Sequence, residues 1–393
     1  MEKLDEVSKK FIEENLNSKV EKLLLQSKSS QPQNIKELAE QIKGKQKIKD
    51  KLPTWYENRE LIMPKSISTE QASSEITAHY KSTLIKGQLL IDLTGGMGID
   101  FLAMAQNFEK AIYIEENSDL KEITQTNLNT LGIRNAEYFS ENSVDFITNF
   151  KEKADWIYLD PARRNLAGEK TVLLANCEPN ILDIKDLILG KTDNILLKCS
   201  PMLDIELAVR QLETVFKIYI ITVDNEVKEL LFHIKKTVNI EPETKVVHLA
   251  KNEINEFDFY TYKENQLKYN IGPIQKYLYE PHAGLMKATA FKTISEVFSC
   301  TKLHPNTHLY TSNNLILNFP GRKFEVLEVI KPNKKEIQKR IPEPKANLTI
   351  RNFPGTVDQL RKTLGLKDGG DTYLFACTNS QNEKIILQTM KIN

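Results

Sequence analysis

The chain has 393 residues, which is too long for one ordinary hydrophobic core and predicts two to four domains. Its 40% hydrophobic and 27% charged residues are typical of a soluble globular protein. The formal net charge is only +1, so overall charge cannot drive binding to nucleic acid, and any such binding requires a local basic patch.

The cysteines and the start of the chain indicate a cellular location. The four cysteines are widely separated: Cys177, Cys199, Cys300 and Cys377. Because no Cys-x-x-Cys spacing occurs, the sequence predicts neither a disulfide framework nor a zinc site, and we expect no metal. Residues 1–6 lack the basic and apolar blocks of a secretory signal, and no run of about 18 apolar residues is present. We therefore expect a cytoplasmic protein without a membrane segment.

Residues 1–80 are predicted to form a helical N-terminal region. Apolar residues at helical spacing within residues 1–50, interrupted by the polar stretch Ser27–Asn34, indicate two helices. Pro53 and Pro64 predict an extended connection, because proline disfavours helix in the residue before it. The stretch Ser68–Lys81 then predicts a capped helix.

Residues 81–255 alternate between strands and helices. Short aliphatic runs predict strands at 89–93, 111–115, 156–159, 194–199 and 216–223. Between them, Asp119–Leu131 and Asp204–Leu212 are predicted helices. Continuous apolar strands separated by helices indicate an α/β domain with a doubly wound parallel sheet that is covered on both faces.

The remainder of the chain predicts small α+β units. In residues 256–320 we expect a strand in Phe257–Tyr262, a helix over 288–298 and strands at 308–311 and 315–319, with a boundary at the turn Pro320-Gly321. The unit at 321–393 is predicted to contain these strands and helices in order: strand Phe324–Ile330, helix Lys334–Arg340, strand Asn347–Arg351, helix Val357–Leu364, and strands Tyr373–Cys377 and Ile385–Met390.

A glycine-rich turn follows the first strand, in Asp92-Leu-Thr-Gly-Gly-Met-Gly98. Gly95, Gly96 and Gly98 lack the β-carbons that would keep a ligand away from the backbone, and a helix begins directly after them. A dinucleotide site requires Gly-x-Gly-x-x-Gly, and a P-loop requires Gly-x-x-x-x-Gly-Lys; both spacings are absent. Taken alone, the glycines could also form an ordinary tight turn.

S-adenosylmethionine is the nucleoside that fits the residues around this turn. Asp92 could hold its ammonium group, and Glu115 ends the next strand where an acid binds a ribose diol in related dinucleotide sites, although the register leaves Glu116 as an alternative. Glu141 and Asn142 lie where a third strand should end and could meet the adenine. Thr94, Gly95, Gly96, Gly98 and Asp160 complete the predicted cofactor site.

A second group of polar residues follows the fourth and fifth strands. Asp160 would face the methyl group and position the acceptor, while Pro161 fixes the backbone after it. Arg163 and Arg164 could neutralise a substrate phosphate, or could simply be solvated. Lys198, within an apolar strand, needs a buried partner, which Asp92 or Asp160 could supply. Cys199 raises the alternative of a thiolate nucleophile, but a cysteine in a strand is usually inert packing.

The motifs Asp92–Asp100 and Asp160-Pro-Ala-Arg-Arg164 resemble class I S-adenosylmethionine-dependent methyltransferases. In this chain Thr94 replaces the first glycine of the usual motif, and Ala162 and Arg163 replace a proline and an aromatic residue. Further blocks are similar to a Bacteroidetes family of such enzymes with a C-terminal THUMP-like domain: Glu70–Lys81, Lys198–Asp204, Tyr279–Lys287, Pro320–Arg322 and Arg351–Pro354.

This resemblance implies a domain order and roles for further residues. It implies a helical region at 1–80, a Rossmann-like methyltransferase domain at 81–255, a ferredoxin-like domain at 256–320 and a THUMP-like domain at 321–393. The segment before the first strand would fold over the cofactor, which would give a gating or binding role to Glu70, Ser74, Thr77 and Lys81. The alternative is that Ser73-Ser74-Glu75 only caps a helix. Tyr279, His282 and Lys287 are expected to flank the substrate entrance.

The predicted activity is methylation of a nitrogen in structured RNA, either tRNA or rRNA. THUMP domains hold RNA in other enzymes, and residues 321–345 contain eight Lys/Arg against four Glu. The basic residues of this stretch that could contact phosphates include Lys331, Lys334, Lys335, Lys339 and Arg340. Alternatives are a methyltransferase of a protein or small molecule, and an RNA-binding protein with an inactive methyltransferase core. The RNA species, the methylated atom and the oligomeric state stay open.

Overall fold

The computed structural model describes residues 4–25, 34–64, 72–163, 173–250, 253–341 and 343–392, and leaves out the side chain of Arg163. The chain forms two compact units. The first comprises Met1–Ile218 with Glu229–Ile240, and the second comprises Tyr219–Lys228 with Glu241–Asn393. None of the helices among the described residues has the length and apolarity needed to cross a bilayer.

The first unit begins with the predicted helical region. Its helices are α1 (Glu6–Asn15), α2 (Val20–Leu25), α3 (Ile35–Ile48), α4 (Pro53–Glu57) and α5 (Glu75–Leu84). Four apolar residues of α1, α2 and α3 form a shared core: Ile12, Leu23, Leu38 and Ile42. The predicted extended connection is wrong at α4, where Pro53 is the first helical residue and Leu52 before it is not helical. Proline is tolerated there because the first helical N–H needs no partner within the helix.

Helix α5 is shorter than the sequence predicts. It begins after Ser74, whose hydroxyl accepts a hydrogen bond from the Thr77 backbone N–H at 3.4 Å. Residues 68–71 of the predicted helix, including Glu70, lie outside the described residues. The helix therefore starts at a serine cap directly before Glu75, and this leaves Ser73 outside the helix, free to contact other elements.

The methyltransferase-like sheet occupies the rest of the first unit. Its strands are β1 (Gly87–Asp92), β2 (Phe108–Ile114), β3 (Ala136–Phe139), β4 (Trp156–Leu159), β7 (Asn194–Cys199), β8 (Val215–Val223) and β9 (Glu226–Lys235), and a separate antiparallel pair is formed by β5 (Ala162–Arg163) and β6 (Cys177–Glu178). The helices between them are α6 (Ile99–Ala105), α7 (Ser118–Thr130), α8 (Ser143–Asn149), α9 (Ile181–Leu189) and α10 (Ile205–Leu212).

These seven strands lie in the order β3-β2-β1-β4-β7-β9-β8 within a nine-stranded sheet, and the first five of them are parallel. This confirms the Rossmann-like fold class. The prediction that the whole sheet is parallel is wrong at β9, which runs antiparallel to β7 and separates it from β8. Strands β8 and β9 are consecutive, joined by Asp224 and Asn225, which both adopt positive φ (51° and 62°) as a tight hairpin turn requires.

The second unit contains the tip of that hairpin and the C-terminal α+β region. Its further strands are β10 (Glu243–Ala250), β11 (Glu253–Tyr260), β12 (Tyr277–Pro281), β13 (Thr301–Lys302), β14 (Tyr310–Ser312), β15 (Gly321–Ile330), β16 (Asn347–Arg351), β17 (Tyr373–Thr378) and β18 (Lys384–Ile392). Its helices are α11 (Thr261–Gln266), α12 (Ala283–Ala288), α13 (Phe291–Val297), α14 (Lys334–Arg340) and α15 (Val357–Leu364).

Seven of these strands form one sheet, in the order β13-β14-β12-β15-β18-β17-β16. Because β12 pairs with β15, the residues before and after Pro320-Gly321 share this sheet. Two predictions are wrong in the unit. Residues 315–319 form no strand, and the helix predicted over 288–298 begins only at Phe291, as α13, because Thr289 adopts a φ of +57° and ends α12 at Ala288. Helices α14 and α15 have the predicted bounds.

Candidate active site

The glycine turn lies between Asp92 at the end of β1 and Ile99 at the start of α6. Gly96 and Gly98 have φ values of +55° and +73°, which favour glycine. Gly95 is required for a different reason: a β-carbon there would lie 2.1 Å from the ring of Tyr113. On the Cβ side of Gly96, by contrast, the nearest atom is the Thr94 carbonyl oxygen at 3.8 Å, so a ligand can approach the backbone there.

Asp92 is almost completely buried beneath this turn, with 1% of its surface exposed. Its Oδ1 accepts a hydrogen bond from the Thr94 backbone N–H at 2.9 Å. Burial, helped by the neighbouring carboxylates of Asp100 and Asp160, outweighs the lowering effect of the Thr94 hydrogen bond and raises the pKa of Asp92 to about 8. A buried carboxyl with this pKa becomes a stable anion when a cation lies against it.

Thr94 connects the ends of two strands. Its hydroxyl accepts a hydrogen bond from the Asp160 backbone N–H at 2.6 Å and lies 3.4 Å from Asp92 Oδ1. The threonine at the position of the first glycine therefore has a structural explanation. Its hydroxyl ties the end of β1 to the residue that follows β4.

Of the two acids after β2, Glu115 is the one that reaches the glycine turn. Its Oε2 accepts a hydrogen bond from the Gly96 N–H at 3.1 Å, and its Oε1 accepts one from the Asn117 N–H at 2.9 Å. Glu115 is half-buried, whereas Glu116 is exposed. The carboxylate is thus held beside the open face of Gly96.

The predicted adenine-side residues follow β3. Asn142 caps α8, because its side-chain oxygen accepts hydrogen bonds from the N–H groups of Val144 at 2.9 Å and Asp145 at 3.4 Å. Glu141 beside it is half-buried. The carbonyl oxygen of Asn142 is engaged in the helix, so only its amide N–H₂ group could serve an additional ligand.

Asp160 and Lys198 form a direct pair at the carboxyl ends of β4 and β7. The Lys198 ammonium donates a hydrogen bond to Asp160 Oδ2 at 2.6 Å. Of the two partners that the sequence suggested, Asp92 and Asp160, the structure thus selects Asp160. The Asp160 side chain keeps 35% of its surface exposed, whereas that of Lys198 keeps 11%. Pro161 is buried directly behind Asp160. Arg163 lies on β5 with its side chain not described, and Arg164 lies outside the described residues.

A second lysine lies behind this pair, in a cluster that sequence reasoning largely missed. Lys81 of α5 is fully buried and lies 2.6 Å from Glu229 Oε1 and 3.0 Å from Asp100 Oδ1. Lys198 lies 3.8 Å and 3.9 Å from the same two carboxylates. Tyr158 donates a hydrogen bond to Asp100 Oδ2 at 2.6 Å. A signal for Glu229 existed, because it precedes the apolar run Leu230–Phe232 and a charge buried in a strand needs a partner.

The cluster contains more carboxylates than ammonium groups. Its two lysines, Lys81 and Lys198, face three carboxylates: Asp100, Asp160 and Glu229. Burial raises the pKa of Asp100, but Lys81 and Lys198 outweigh it and lower the value to about 2. Burial lowers the pKa of Lys198, but Asp160, Asp100 and Glu229 outweigh it and raise the value above that of a free lysine. Both groups therefore stay charged at neutral pH.

The thiolate alternative at Cys199 loses support. Desolvation by the surrounding atoms raises the pKa of Cys199 well above its ordinary value, and Cys177 and Asp160 raise it further. A thiol that resists ionisation is a weak nucleophile.

Tyr279 and His282 do not flank an entrance, because both are buried in the second unit. The Tyr279 hydroxyl bonds to Ser312 Oγ at 2.8 Å, and His282 caps α12 by accepting a hydrogen bond from the Gly284 N–H at 3.2 Å. Burial lowers the pKa of His282 to about 4, and His248, which stacks on it, adds to the effect. Both residues support the fold of this unit.

Three of the sequence blocks noted above meet at Glu280. This buried carboxylate accepts hydrogen bonds from Arg322 Nε and Arg351 Nη2, both at 2.6 Å. It therefore joins the strand before the Pro320-Gly321 turn to two strands after it. Gly321 is needed there, because a β-carbon would lie 2.1 Å from the Glu280 carbonyl oxygen.

Only part of the basic face predicted around α14 is available to contact phosphates. Lys331, Lys334, Lys335 and Lys339 are exposed. Arg340 instead pairs with Glu328 at 2.5 Å and with Glu336. Four lysines of this stretch can therefore meet a phosphate without breaking an internal ion pair.

Comparison with known proteins identifies two family models and a solved structure that match this chain. A family model of a ferredoxin-like domain matches residues 277–320, and one of a THUMP domain-like fold matches residues 321–391. A crystal structure of an inferred methyltransferase from Porphyromonas gingivalis W83 is 30% identical, covers 100% of both chains and has a TM-score of 0.87.

Two other matches are partial. An uncharacterized RNA methyltransferase of Thermotoga maritima is 24% identical over 135 residues, which are 31% of this chain and 31% of that protein. SMU.1697c of Streptococcus mutans, an inferred methyltransferase solved with S-adenosylhomocysteine, is 16% identical and has a TM-score of 0.31. That match covers 41% of this chain and 96% of the other.

Proposed function

The chain belongs to the class I S-adenosylmethionine-dependent methyltransferase family that carries a C-terminal THUMP-like domain, and from this premise we propose that it methylates a nitrogen of structured RNA, tRNA or rRNA. The cofactor supplies a methyl group already activated by its sulfonium. The protein must then hold the cofactor, align the acceptor in line with the methyl group and exclude competing water.

Our proposal for cofactor binding assigns the ammonium to Asp92 and the ribose to Glu115. The residues fit such a cation, because Asp92 is a buried carboxyl whose pKa is raised and which an adjacent positive charge would stabilise as the anion. The open side of Gly96 admits the ligand, while Thr94, Gly95 and Gly98 keep the turn in its shape. Glu141 and Asn142 are proposed for the adenine side.

The observation that carries the proposal is the half-exposed Asp160 carboxylate, which the buried Lys198 holds at 2.6 Å directly beside the glycine turn. An ionised carboxylate in fixed position accepts a hydrogen bond from an N–H of the acceptor and so directs the nitrogen lone pair. Pro161 fixes the backbone behind it. Lys198 and Arg163 are proposed as electrostatic helpers, Arg163 through a phosphate of the substrate.

RNA is the proposed acceptor because charge is distributed unevenly along the chain. Residues 321–393 contain 14 Lys/Arg and 8 Asp/Glu, whereas residues 1–320 contain 40 and 45. Exposed lysines on α14 suit the phosphate backbone. The Thermotoga maritima relative is named an RNA methyltransferase. A location in the cytoplasm belongs to the same proposal.

The test is transfer of a tritiated methyl group from the cofactor to RNA of a strain that lacks the gene, followed by nucleoside mass spectrometry. We expect one methylated nucleoside that is absent from that strain and restored by the enzyme. Label in protein or metabolites would instead support a different acceptor. Calorimetry that detects no cofactor binding at millimolar concentration would leave an inactive RNA-binding core.

Asp160→Ala tests the assignment of the acceptor site. We expect turnover to fall about 100-fold or more, while cofactor affinity stays near the wild-type value, because Asp160 is proposed to act on the acceptor. Asp204→Ala is the matched control, since Asp204 follows the neighbouring strand but caps α10 through the Leu207 N–H at 2.9 Å. It should cost about 1 kcal/mol of stability and leave turnover unchanged. A collapse of cofactor affinity in Asp160→Ala would contradict the assignment.

A further inference from the structure

Ser73 occupies the centre of the buried lysine cluster. Its hydroxyl donates a hydrogen bond to Asp100 Oδ2 at 2.7 Å and accepts one from Lys198 at 2.9 Å and one from Lys81 at 3.1 Å. One donor and two acceptor sites are all that a serine hydroxyl possesses. The residue is 7% exposed, so no bulk water replaces these contacts.

The neighbouring serine does something different. Ser74 caps α5, and its hydroxyl forms hydrogen bonds with Thr77 in the first turn of that helix. Two adjacent serines thus have separate roles, one in the start of a helix and the other in the candidate active site. Cap formation alone therefore does not account for the sequence Ser73-Ser74.

Ser73 provides one of the two hydrogen bonds that the Lys198 ammonium donates to nearby side chains. The ammonium has three N–H groups, of which one reaches Asp160 at 2.6 Å and one reaches Ser73 at 2.9 Å. Asp100 and Glu229 stand farther away, at 3.8 and 3.9 Å. Without the hydroxyl, the flexible lysine can turn towards these two buried carboxylates and away from Asp160.

Glu229 affects how Lys81 and Lys198 share the buried carboxylates. It holds Lys81 at 2.6 Å, so Lys81 and Lys198 do not compete for Asp100 alone. A neutral side chain at position 229 would leave Asp100 as the shared partner of both lysines. The Lys198 ammonium would then be drawn inward, again away from Asp160.

We propose that Ser73 and Glu229 are positioning residues for methyl transfer: they hold the Lys198 ammonium against Asp160, so that the segment before β1 completes the active site. This inference rests on the proposed function for its kinetic consequence. Neither residue touches the substrate in this proposal. Both act through Lys198 on the orientation of the Asp160 carboxylate.

The matched pair Ser73→Ala and Ser74→Ala tests the inference in the full-length protein. Single-turnover methyl transfer at saturating cofactor should slow roughly 10- to 100-fold in Ser73→Ala, since small misplacements of aligned groups have effects of this order. Its cofactor dissociation constant should change less than about threefold, because Asp92 and the glycine turn are untouched. Ser74→Ala removes the cap of α5, so it should lower the melting temperature and slow methyl transfer less than Ser73→Ala does. Equal rates in Ser73→Ala and wild type would overturn the inference.

The separation of rate from affinity in Glu229→Gln gives a readout that a purely structural role would not move. The charged groups facing Lys198 are Asp160, Asp100 and Glu229, with Lys81 behind them. With Glu229 neutral, the Lys198 ammonium is drawn towards Asp100 and away from Asp160, so the single-turnover rate at saturating cofactor should fall while the cofactor dissociation constant stays near the wild-type value. An unchanged single-turnover rate would count against the inference.

The outcome for wild type separates this inference from the proposed function. Where wild type methylates RNA, the variant rates decide the inference alone. Where it does not, the proposed function fails, and crystal structures of Ser73→Ala and Glu229→Gln decide instead. Movement of the Lys198 ammonium away from Asp160 in these structures supports the inference. An unchanged 2.6 Å pair in both variants overturns it.

Discussion

The first unit and the C-terminal segment use their charged side chains in opposite ways. In the first unit, Lys81, Lys198, Asp100 and Glu229 are buried and form ion pairs with one another. In the C-terminal segment, residues 321–393, the lysines of α14 are exposed. Buried pairs fix geometry at a high cost in desolvation, whereas exposed lysines keep their hydration and can exchange counterions for phosphates. The proposed function uses this difference, with fixed geometry in the first unit and attraction of RNA by the exposed lysines.

The largest effect expected is the loss of affinity for S-adenosylmethionine in Gly95→Ala. A β-carbon 2.1 Å from the Tyr113 ring forces the turn to shift, an overpacking cost of about 3 kcal/mol, or roughly 150-fold in affinity. Calorimetry with S-adenosylmethionine measures it. Gly132→Ala is the control: its φ is +96° but nothing lies within 4 Å of the added carbon, so only stability should fall. Wild-type affinity in Gly95→Ala would contradict the proposal that the glycine turn binds the cofactor.

The second prediction concerns Glu280→Gln. The amide cannot serve two arginines as an anion does, and because both guanidinium groups are half-exposed we expect a loss of only about 2 kcal/mol. Thermal unfolding measures it, and cofactor affinity should stay unchanged. Glu325→Gln, which weakens an exposed pair with Lys276 at 3.7 Å, should cost less than about 0.5 kcal/mol. Equal stability of the two variants would contradict a joining role for Glu280.

Asp92 predicts a pH dependence of cofactor affinity. Its pKa is raised to about 8, so below pH 8 the cation must displace a proton, and affinity should strengthen up to about tenfold per pH unit until pH 8. Asp92→Asn should abolish this rise, which separates it from titration of the ligand's own amine. Calorimetry between pH 6 and pH 9 is the measurement, and parallel curves for the two proteins would remove Asp92 from the ammonium site.

The raised pKa of Asp92 also predicts that the stability of the ligand-free protein depends on pH. Asp92 titrates near 3.8 when unfolded and near 8 when folded, so the folded state binds more protons between these values. The free energy of unfolding should therefore fall as pH rises from about 4 to 8, by at most about 1.4 kcal/mol per unit from this group. Denaturant titrations of wild type and Asp92→Asn should differ with this sign, and an opposite difference would contradict it.

The smallest effect is expected for one exposed lysine. Lys335→Gln should weaken RNA binding only a few-fold and reduce the slope of log affinity against log salt by about 0.7 to 0.9, since one phosphate contact is lost. Filter binding at several salt concentrations measures both. Lys151→Gln, an exposed lysine of the first unit, should leave the slope unchanged. Identical slopes for the two variants would show that α14 does not contact RNA.

Prediction from the sequence was most successful where short-range signals are strong. The bounds of α14 and α15 agree because Asn333 and Thr356 cap their first turns and Gly365 ends the second helix. Strand β9 was missed, although β7 and β8 were found. Its antiparallel insertion between those strands depends on which edge remains open in the folded sheet, and no local pattern encodes that choice.

The sequence by itself determined the glycine turn, the acids at the strand ends and the need of Lys198 for a partner, because each depends on residues that are adjacent or on a simple cost of burial. Only the tertiary structure decided that Lys198 pairs with Asp160, that Glu115 and not Glu116 reaches the turn, and that Tyr279 and His282 are buried. It also brought Glu229 to Lys81 and Ser73 to Lys198, across 148 and 125 residues. Hydrogen bonds over such separations arise from the packing of whole elements, which the spacing of residues along one chain does not specify.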